Sequence, residues 1–118
     1  MSLLKLDPNF KPAFDGPALA QGLIDKLNSS LPLHAAYLFG SAAEGKNTIN
    51  SDLDILLVVP DSIDIKKYYT FVNAPFFSPV AVDWIIQLKT DFEKSLEIGG
   101  VSTVATENGI KLKINGSK

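Results

Sequence analysis

Cysteine is absent from the 118-residue chain, so it carries no disulfide framework and no thiolate metal site. Arginine is absent too: every one of the 11 basic residues is a lysine. That removes the bidentate fork with which proteins grip phosphate or guanine. Set against 13 acids, the lysines leave a net charge of −2. A protein that holds nucleic acid by neutralising phosphates carries a basic surface. Stand-alone binding to DNA or RNA is therefore not expected. A single histidine, His34, excludes multi-histidine zinc constellations and leaves no second imidazole for a relay. No apolar run approaches the roughly 18 residues of a membrane span, and no signal peptide is visible after Met1. These absences point to a cytoplasmic, soluble chain with no membrane partner.

What is present suits one folded domain. Hydrophobic residues make up 46% of the chain and charged residues 20%, far from the low-hydrophobicity, high-charge composition of disorder. The length lies within the single-domain range. Residues 1–16 read as an irregular lead-in, punctuated by Pro8, Pro12 and Gly16-Pro17. The folded domain is expected over 17–114, with a tail at 115–118.

The pattern predicts a helix over 17–28, with Leu19, Leu23, Ile24 and Leu27 on one face and Pro17 in its first turn. His34 to Phe39 reads as a short strand. Leu53 to Val59 reads as a second strand whose nearly unbroken apolar run implies burial on both faces. Weak helix follows over 63–73, then an aromatic loop, then a third strand from Val80 to Ile86. Thr90-Asp91-Phe92-Glu93 matches a capping box and predicts the last helical start. Gly99-Gly100 should break that helix, and Gly109 should end it. Ile110, Leu112 and Ile114 alternate with Lys111 and Lys113, as in a charged edge strand.

The segment that carries chemistry runs from Leu38 to Val58. Asp52 and Asp54 stand two apart where an apolar strand begins, so their side chains share a face while Leu53 points the other way. Their spacing of roughly 6.5–7 Å suits ligands converging on two divalent ions about 4 Å apart. Two neighbouring carboxylates repel and desolvate poorly, and a hard cation such as Mg²⁺ relieves both costs. Asp83 lies within another apolar strand, flanked by Val82 and Trp84, where an isolated acid is expensive without a partner. It either joins the first two as a third ligand, pairs with a lysine, or faces solvent on the polar side of the sheet. Gly40-Ser41 ends the first strand, where close backbone approach and the Ser41 hydroxyl suit an anion.

Gly40-Ser41, ten intervening residues and Asp52-Leu53-Asp54 together resemble the signature of the DNA polymerase β nucleotidyltransferase superfamily. In length and lack of an accessory domain the chain looks most like its minimal nucleotidyltransferase family, including antitoxin-type members. The resemblance implies an α+β nucleotidyltransferase fold: a mixed central β-sheet with flanking helices in a single domain. It implies transfer of a nucleoside monophosphate, AMP from ATP first among them, onto a hydroxyl. By that resemblance Asp52, Asp54 and Asp83 would be the catalytic metal ligands of a two-metal Mg²⁺ site, and Gly40 and Ser41 would bind the nucleotide's phosphates. The acceptor or partner it implies is a helical HEPN-type protein of a toxin–antitoxin pair. Many family members carry basic residues just after Gly-Ser. Here Ala42 and Glu44 stand in that stretch, with Lys46 beyond them. That departure motivates the alternative of a catalytically weak or inactive fold that acts by covering its partner.

The other singular residues are expected in ordinary roles. Trp84, facing away from Asp83, is expected in the core, Tyr68 and Tyr69 as amphipathic surface aromatics, and Phe71, Val72, Phe76 and Phe77 as a flap closing the core.

Overall fold

The computed structural model describes residues 14–48, 51–75 and 77–114. Most of the expected lead-in, the 115–118 tail and Phe76 lie outside the described residues. Elements follow in the order α1 (Gly16–Asn28), β1 (Ala35–Phe39), β2 (Leu53–Val59), α2 (Ile65–Val72), β3 (Val82–Leu88), α3 (Lys89–Ile98), α4 (Val101–Asn108) and β4 (Ile110–Lys111). The four strands form one sheet in the order β3-β2-β1-β4. β1 runs antiparallel to both β2 and β4, and β2 runs parallel to β3. The sheet is mixed, as an α+β nucleotidyltransferase fold requires. The parallel pair needs a crossover, and α2 supplies it.

Strand alternation sorts the core into two layers. Ala36 and Leu38 of β1, with Leu53, Ile55, Leu57 and Val59 of β2, face α1 and α2. Ala35 of β1, with Leu56 and Val58 of β2, faces the other way, against Phe92 of α3 and Ala105 of α4. β2 is thus covered on both sides, which its unbroken apolar run required. Helix α1 buries Ala20, Leu23, Ile24 and Leu27, an i, i+3, i+4, i+7 stripe. Its start is set by Asp15, whose Oδ1 accepts from the Ala18 amide at 3.1 Å. Among the described residues, no helix is long and apolar enough to cross a membrane.

Several local expectations give way to tertiary contacts. The third strand begins at Val82, not Val80, because pairing with β2 opens opposite Leu53. The Thr90–Glu93 capping box is not used. α3 starts two residues earlier than that box would set it, with Leu88 in the cap position and no side-chain cap. Asp61, from the loop after β2, instead accepts from the Thr90 amide at 2.9 Å and from its hydroxyl. Tyr68 is no surface aromatic: it is fully buried, and its hydroxyl donates to the Pro32 carbonyl. Tyr69 is 38% exposed, and its hydroxyl accepts from the Ile86 amide of edge strand β3 at 3.3 Å. Trp84 packs edge-on against Phe77 on the α1/α2 side, as its alternation from Asp83 demands. Val72 and Phe77 are buried, with Phe71 packed against them, so this cluster closes the core. Gly99-Gly100 does break the helical run, separating α3 from α4 with φ of 85° and 105°.

The charged edge strand shrinks to the two residues of β4. Beyond it, Gln21 of α1 takes over as a strand mimic: its Oε1 accepts from the Lys113 amide and its Nε2 donates to the Lys113 carbonyl, each at 2.8 Å. This occupies backbone groups at an edge that would otherwise invite pairing.

Candidate active site

Three strand ends meet at one end of the sheet. Because β1 is antiparallel to β2, its last residue, Phe39, lies opposite Asp54. Because β2 is parallel to β3, Asp54 also lies opposite Asp83. Residues in register share a face, so Phe39, Asp54 and Asp83 form one row across three strands. Asp52, two residues before Asp54, extends the acidic set toward the loop. The sheet thereby places the three carboxylates singled out in the sequence at one of its ends, Asp54 and Asp83 in register on the side that α3 and α4 cover farther along.

Their electrostatics agree with this placement. The Asp54 carboxyl titrates above the usual carboxylate range, chiefly because burial penalises its charge and then because Asp83 and Asp52 add negative potential. Asp54 is half-buried, whereas Asp52 and Asp83 are exposed. Among the described residues no three ligating side chains are drawn together closely enough to grip an ion as they stand. The donor set itself fits a hard divalent ion, being all oxygen and concentrated negative charge.

Gly40 supplies the tightest contact. Its φ of +79° lies in the left-handed region, and a Cβ there would run into the Asp54 carboxylate oxygen and stand 3.2 Å from its Cγ. Glycine at position 40 therefore leaves the room in which the Asp54 carboxylate sits. The chain then coils into a compact turn. The Ala43 amide donates to the Gly40 carbonyl at 3.1 Å, and the Lys46 amide to the Ser41 carbonyl at 2.9 Å. Those amides are consumed by the turn itself and do not point outward to an anion. Ser41 is half-buried at the mouth of the turn, and its hydroxyl has no hydrogen-bond partner among the described residues. Ala42 is fully buried against the start of α1, where a Cβ on Gly16 would come within 2.8 Å of its own. Lys46 forms an ion pair with Glu44 at 3.3 Å, so its charge answers that acid.

Two neighbours escaped the sequence reading. Phe39 flanks the acidic row, and only the β1–β2 register reveals it. Asn47 is buried in the loop between the Gly-Ser turn and Asp52, where nothing in a run of small polar residues marks it.

The family model described as polymerase beta, nucleotidyltransferase matches residues 21–75. That span holds Gly40, Ser41, Asp52 and Asp54 and stops before Asp83. No curated protein matches the chain. Among solved structures, the crystal structure of a candidate nucleotidyltransferase from Sulfolobus solfataricus is similar at 26% identity and a TM-score of 0.52. The likeness covers 74% of this chain and 83% of that one. The matched span contains the strand–turn–strand unit that builds the acidic row, and the structural likeness extends over most of the domain. Both comparisons point to a nucleotidyltransferase-type domain similar to those of polymerase β, and the mixed sheet with flanking helices is an α+β nucleotidyltransferase fold.

Proposed function

We propose that the protein is a Mg²⁺-dependent nucleotidyltransferase that transfers a nucleoside monophosphate, AMP from ATP, to a hydroxyl of an acceptor. The acceptor we favour is a partner protein of the helical HEPN type, in a cytoplasmic toxin–antitoxin pair. The observation that carries this reading is the register of Asp54 opposite Asp83, with the Gly40 backbone pressed against the Asp54 carboxylate.

Asp52 and Asp54 would hold the metal that accompanies the triphosphate, and Asp83 would share the second. Bound Mg²⁺ supplies charge neutralisation and Lewis acidity at the reacting phosphate. Ser41 offers its hydroxyl to phosphate oxygens, and Gly40 keeps the backbone low enough for them to approach. In the reaction an acceptor oxygen bonds to the α-phosphorus and the bond to the β-phosphate's bridging oxygen breaks. Pyrophosphate leaves, and the acceptor proton passes to solvent. The protein's share is positioning and electrostatics, as transfer at phosphorus demands.

The Glu44–Lys46 pair, which places an acid beside the Gly-Ser turn and occupies the nearby lysine, favours a second reading, a binding module that covers its partner without turnover. Thermal unfolding with Mg²⁺ and each nucleoside triphosphate, in wild type and Asp54→Asn, separates the two. A ligand at about 100 times its dissociation constant stabilises the fold by about 2.7 kcal/mol. A metal-dependent shift lost in the variant, together with label transfer from α-³²P-ATP to an acceptor, supports the enzyme. The absence of a shift with every triphosphate refutes it.

A further inference from the structure

Strand β3 ends the sheet, so one of its sides has no neighbouring strand. Two bonds fix which backbone groups that side carries. The Ala81 carbonyl accepts from the Leu53 amide of β2 at 3.0 Å, so Ala81, and by alternation Asp83, turn their backbone groups toward β2. The Ile86 amide goes instead to the Tyr69 hydroxyl, so Ile86, and by alternation Trp84 and Val82, turn theirs outward. Tyr69 thus closes the edge at Ile86, and the stretch left open is Val82-Asp83-Trp84. Among the described residues no hydrogen bond takes the outward amides and carbonyls of Val82 and Trp84. Asp83, in register with Asp54, stands exposed at the centre of that stretch.

Open amides and carbonyls at a sheet edge take another extended chain. What stands opposite Asp83 selects which chain. A second copy pairing antiparallel through the same three residues would set Asp83 against Asp83, and like charges directly opposite each other are destabilising. A segment with an uncharged polar residue at that position meets no such cost. Antiparallel pairing makes the position a non-hydrogen-bonded pair, with Cα atoms about 4.5 Å apart, flanked by hydrogen-bonded pairs at Val82 and Trp84. Its side chain would share the Asp54–Asp83 face. The two residues beside it would fall on the other face, next to Val82 and Trp84, which pack on the α1/α2 layer. Apolar side chains suit those two positions.

We propose that the open edge of β3 docks the acceptor: an extended segment of the partner protein that adds as an antiparallel strand. It presents a hydroxyl side chain, flanked by apolar residues, opposite Asp83. The proposal rests on the nucleotidyltransferase reading and extends it to how the acceptor is held. With a nucleoside triphosphate bound, the presented oxygen bonds to the α-phosphorus and the bond to the bridging oxygen breaks. Pyrophosphate leaves, and the hydroxyl proton passes to solvent.

The probe is the peptide acetyl-Lys-Thr-Val-Ser-Val-Thr-Lys-amide, titrated against the ¹⁵N-labelled full chain with neither Mg²⁺ nor nucleotide. Saturable shifts are expected at the Val82 and Trp84 amides. The same peptide N-methylated at both valines keeps every side chain, loses the N–H groups that face β3, and should not bind. Val82→Pro removes one outward donor at the first residue of an edge strand, where proline is accepted, and should weaken binding about two- to tenfold. Val82→Thr keeps the N–H and should restore it. The N-methylated peptide decides the matter if the proline variant fails to fold. With Mg²⁺ and α-³²P-ATP added, label should enter the serine peptide and not its alanine counterpart. No saturable shift, or equal binding of the N-methylated peptide, would overturn the proposal whatever the nucleotide does. So would peptide binding without label in protein whose unfolding temperature rises with Mg²⁺-ATP. A missing nucleotide response faults the enzyme reading instead, while the peptide shifts still decide the docking strand.

Discussion

Replacing Gly40 with alanine tests the contact on which the candidate site rests, and its effect divides into two measurable parts. The first is backbone strain. Gly40 has φ of +79°, and an L-residue held in the left-handed region costs about 1–2 kcal/mol. With an unfolding entropy of about 250 cal/mol/K for 118 residues, that lowers the unfolding temperature by about 4–8 °C. The second part falls on the site. The new Cβ would occupy the place of the Asp54 carboxylate oxygen, and because that oxygen ends a rotatable side chain, it moves and the fold does not break. A displacement of about 1 Å at a reacting group can cost about 10²-fold in rate. If affinity for the metal–nucleotide complex falls by the same factor, stabilisation at a fixed ligand concentration drops from about 2.7 to about 0.4 kcal/mol. Gly40→Asn separates the parts, since asparagine tolerates left-handed backbone yet still carries a Cβ. It should unfold close to wild type while losing the ligand-dependent shift. Thermal unfolding with and without Mg²⁺-ATP reads both quantities. A full ligand shift in either variant would refute the claim that Gly40 is there to make room for Asp54.

Two further predictions concern charge. Asp54 titrates above its ordinary value of 3.8, so the folded state binds its proton more tightly than the unfolded chain does. At neutral pH its ionised form therefore opposes folding, and Asp54→Asn should raise the unfolding temperature of the metal-free protein. The gain should fade as pH falls through the raised value and vanish below about 3.8, which calorimetry across pH 3–7 checks. Asp61 behaves oppositely. Its carboxyl is held below the ordinary range by the Thr90 hydroxyl and amide, so its contribution is complete above pH 3.8 and is lost as pH drops through the lowered value. Asp61→Ala should destabilise the protein at pH 7 and make no difference in strong acid, where a persisting gap would assign the loss to something other than the Thr90 bonds.

Strand β2 was legible because its evidence is local: an apolar run bounded by acids and a turn, matching the observed Leu53–Val59. The Gly-Gly break and α1 were legible for the same reason. What escaped depends on partners distant in the chain. Asp61 lies 29 residues before Thr90, so the local capping box looked sufficient when a remote carboxylate had already taken the Thr90 amide. Tyr68 read as a surface aromatic because the Pro32 carbonyl that receives its hydroxyl lies 36 residues away. The start of β3 was misjudged by two residues because only pairing with Leu53, and not the apolar pattern, marks where it begins.

The site divides along the same line. Spacing alone puts Asp52 and Asp54 on one face, and the isolation of Asp83 in an apolar strand shows that it needs a reason to be there. Neither shows which residues lie beside it. The register does: one parallel pairing aligns Asp83, exposed on its strand, with Asp54, and one antiparallel pairing delivers Phe39 and then Gly40 to the same residue. A shift of β3 by one residue would turn its side chains to the opposite face and send Asp83 toward α1 and α2. The apolar alternation that stabilises the sheet on both sides thus also enforces the acidic row. Placing three acids at one sheet end carries an energetic cost in the metal-free protein, which the raised Asp54 titration records. Many core contacts tolerate that cost together, and a cation at the site would reverse it.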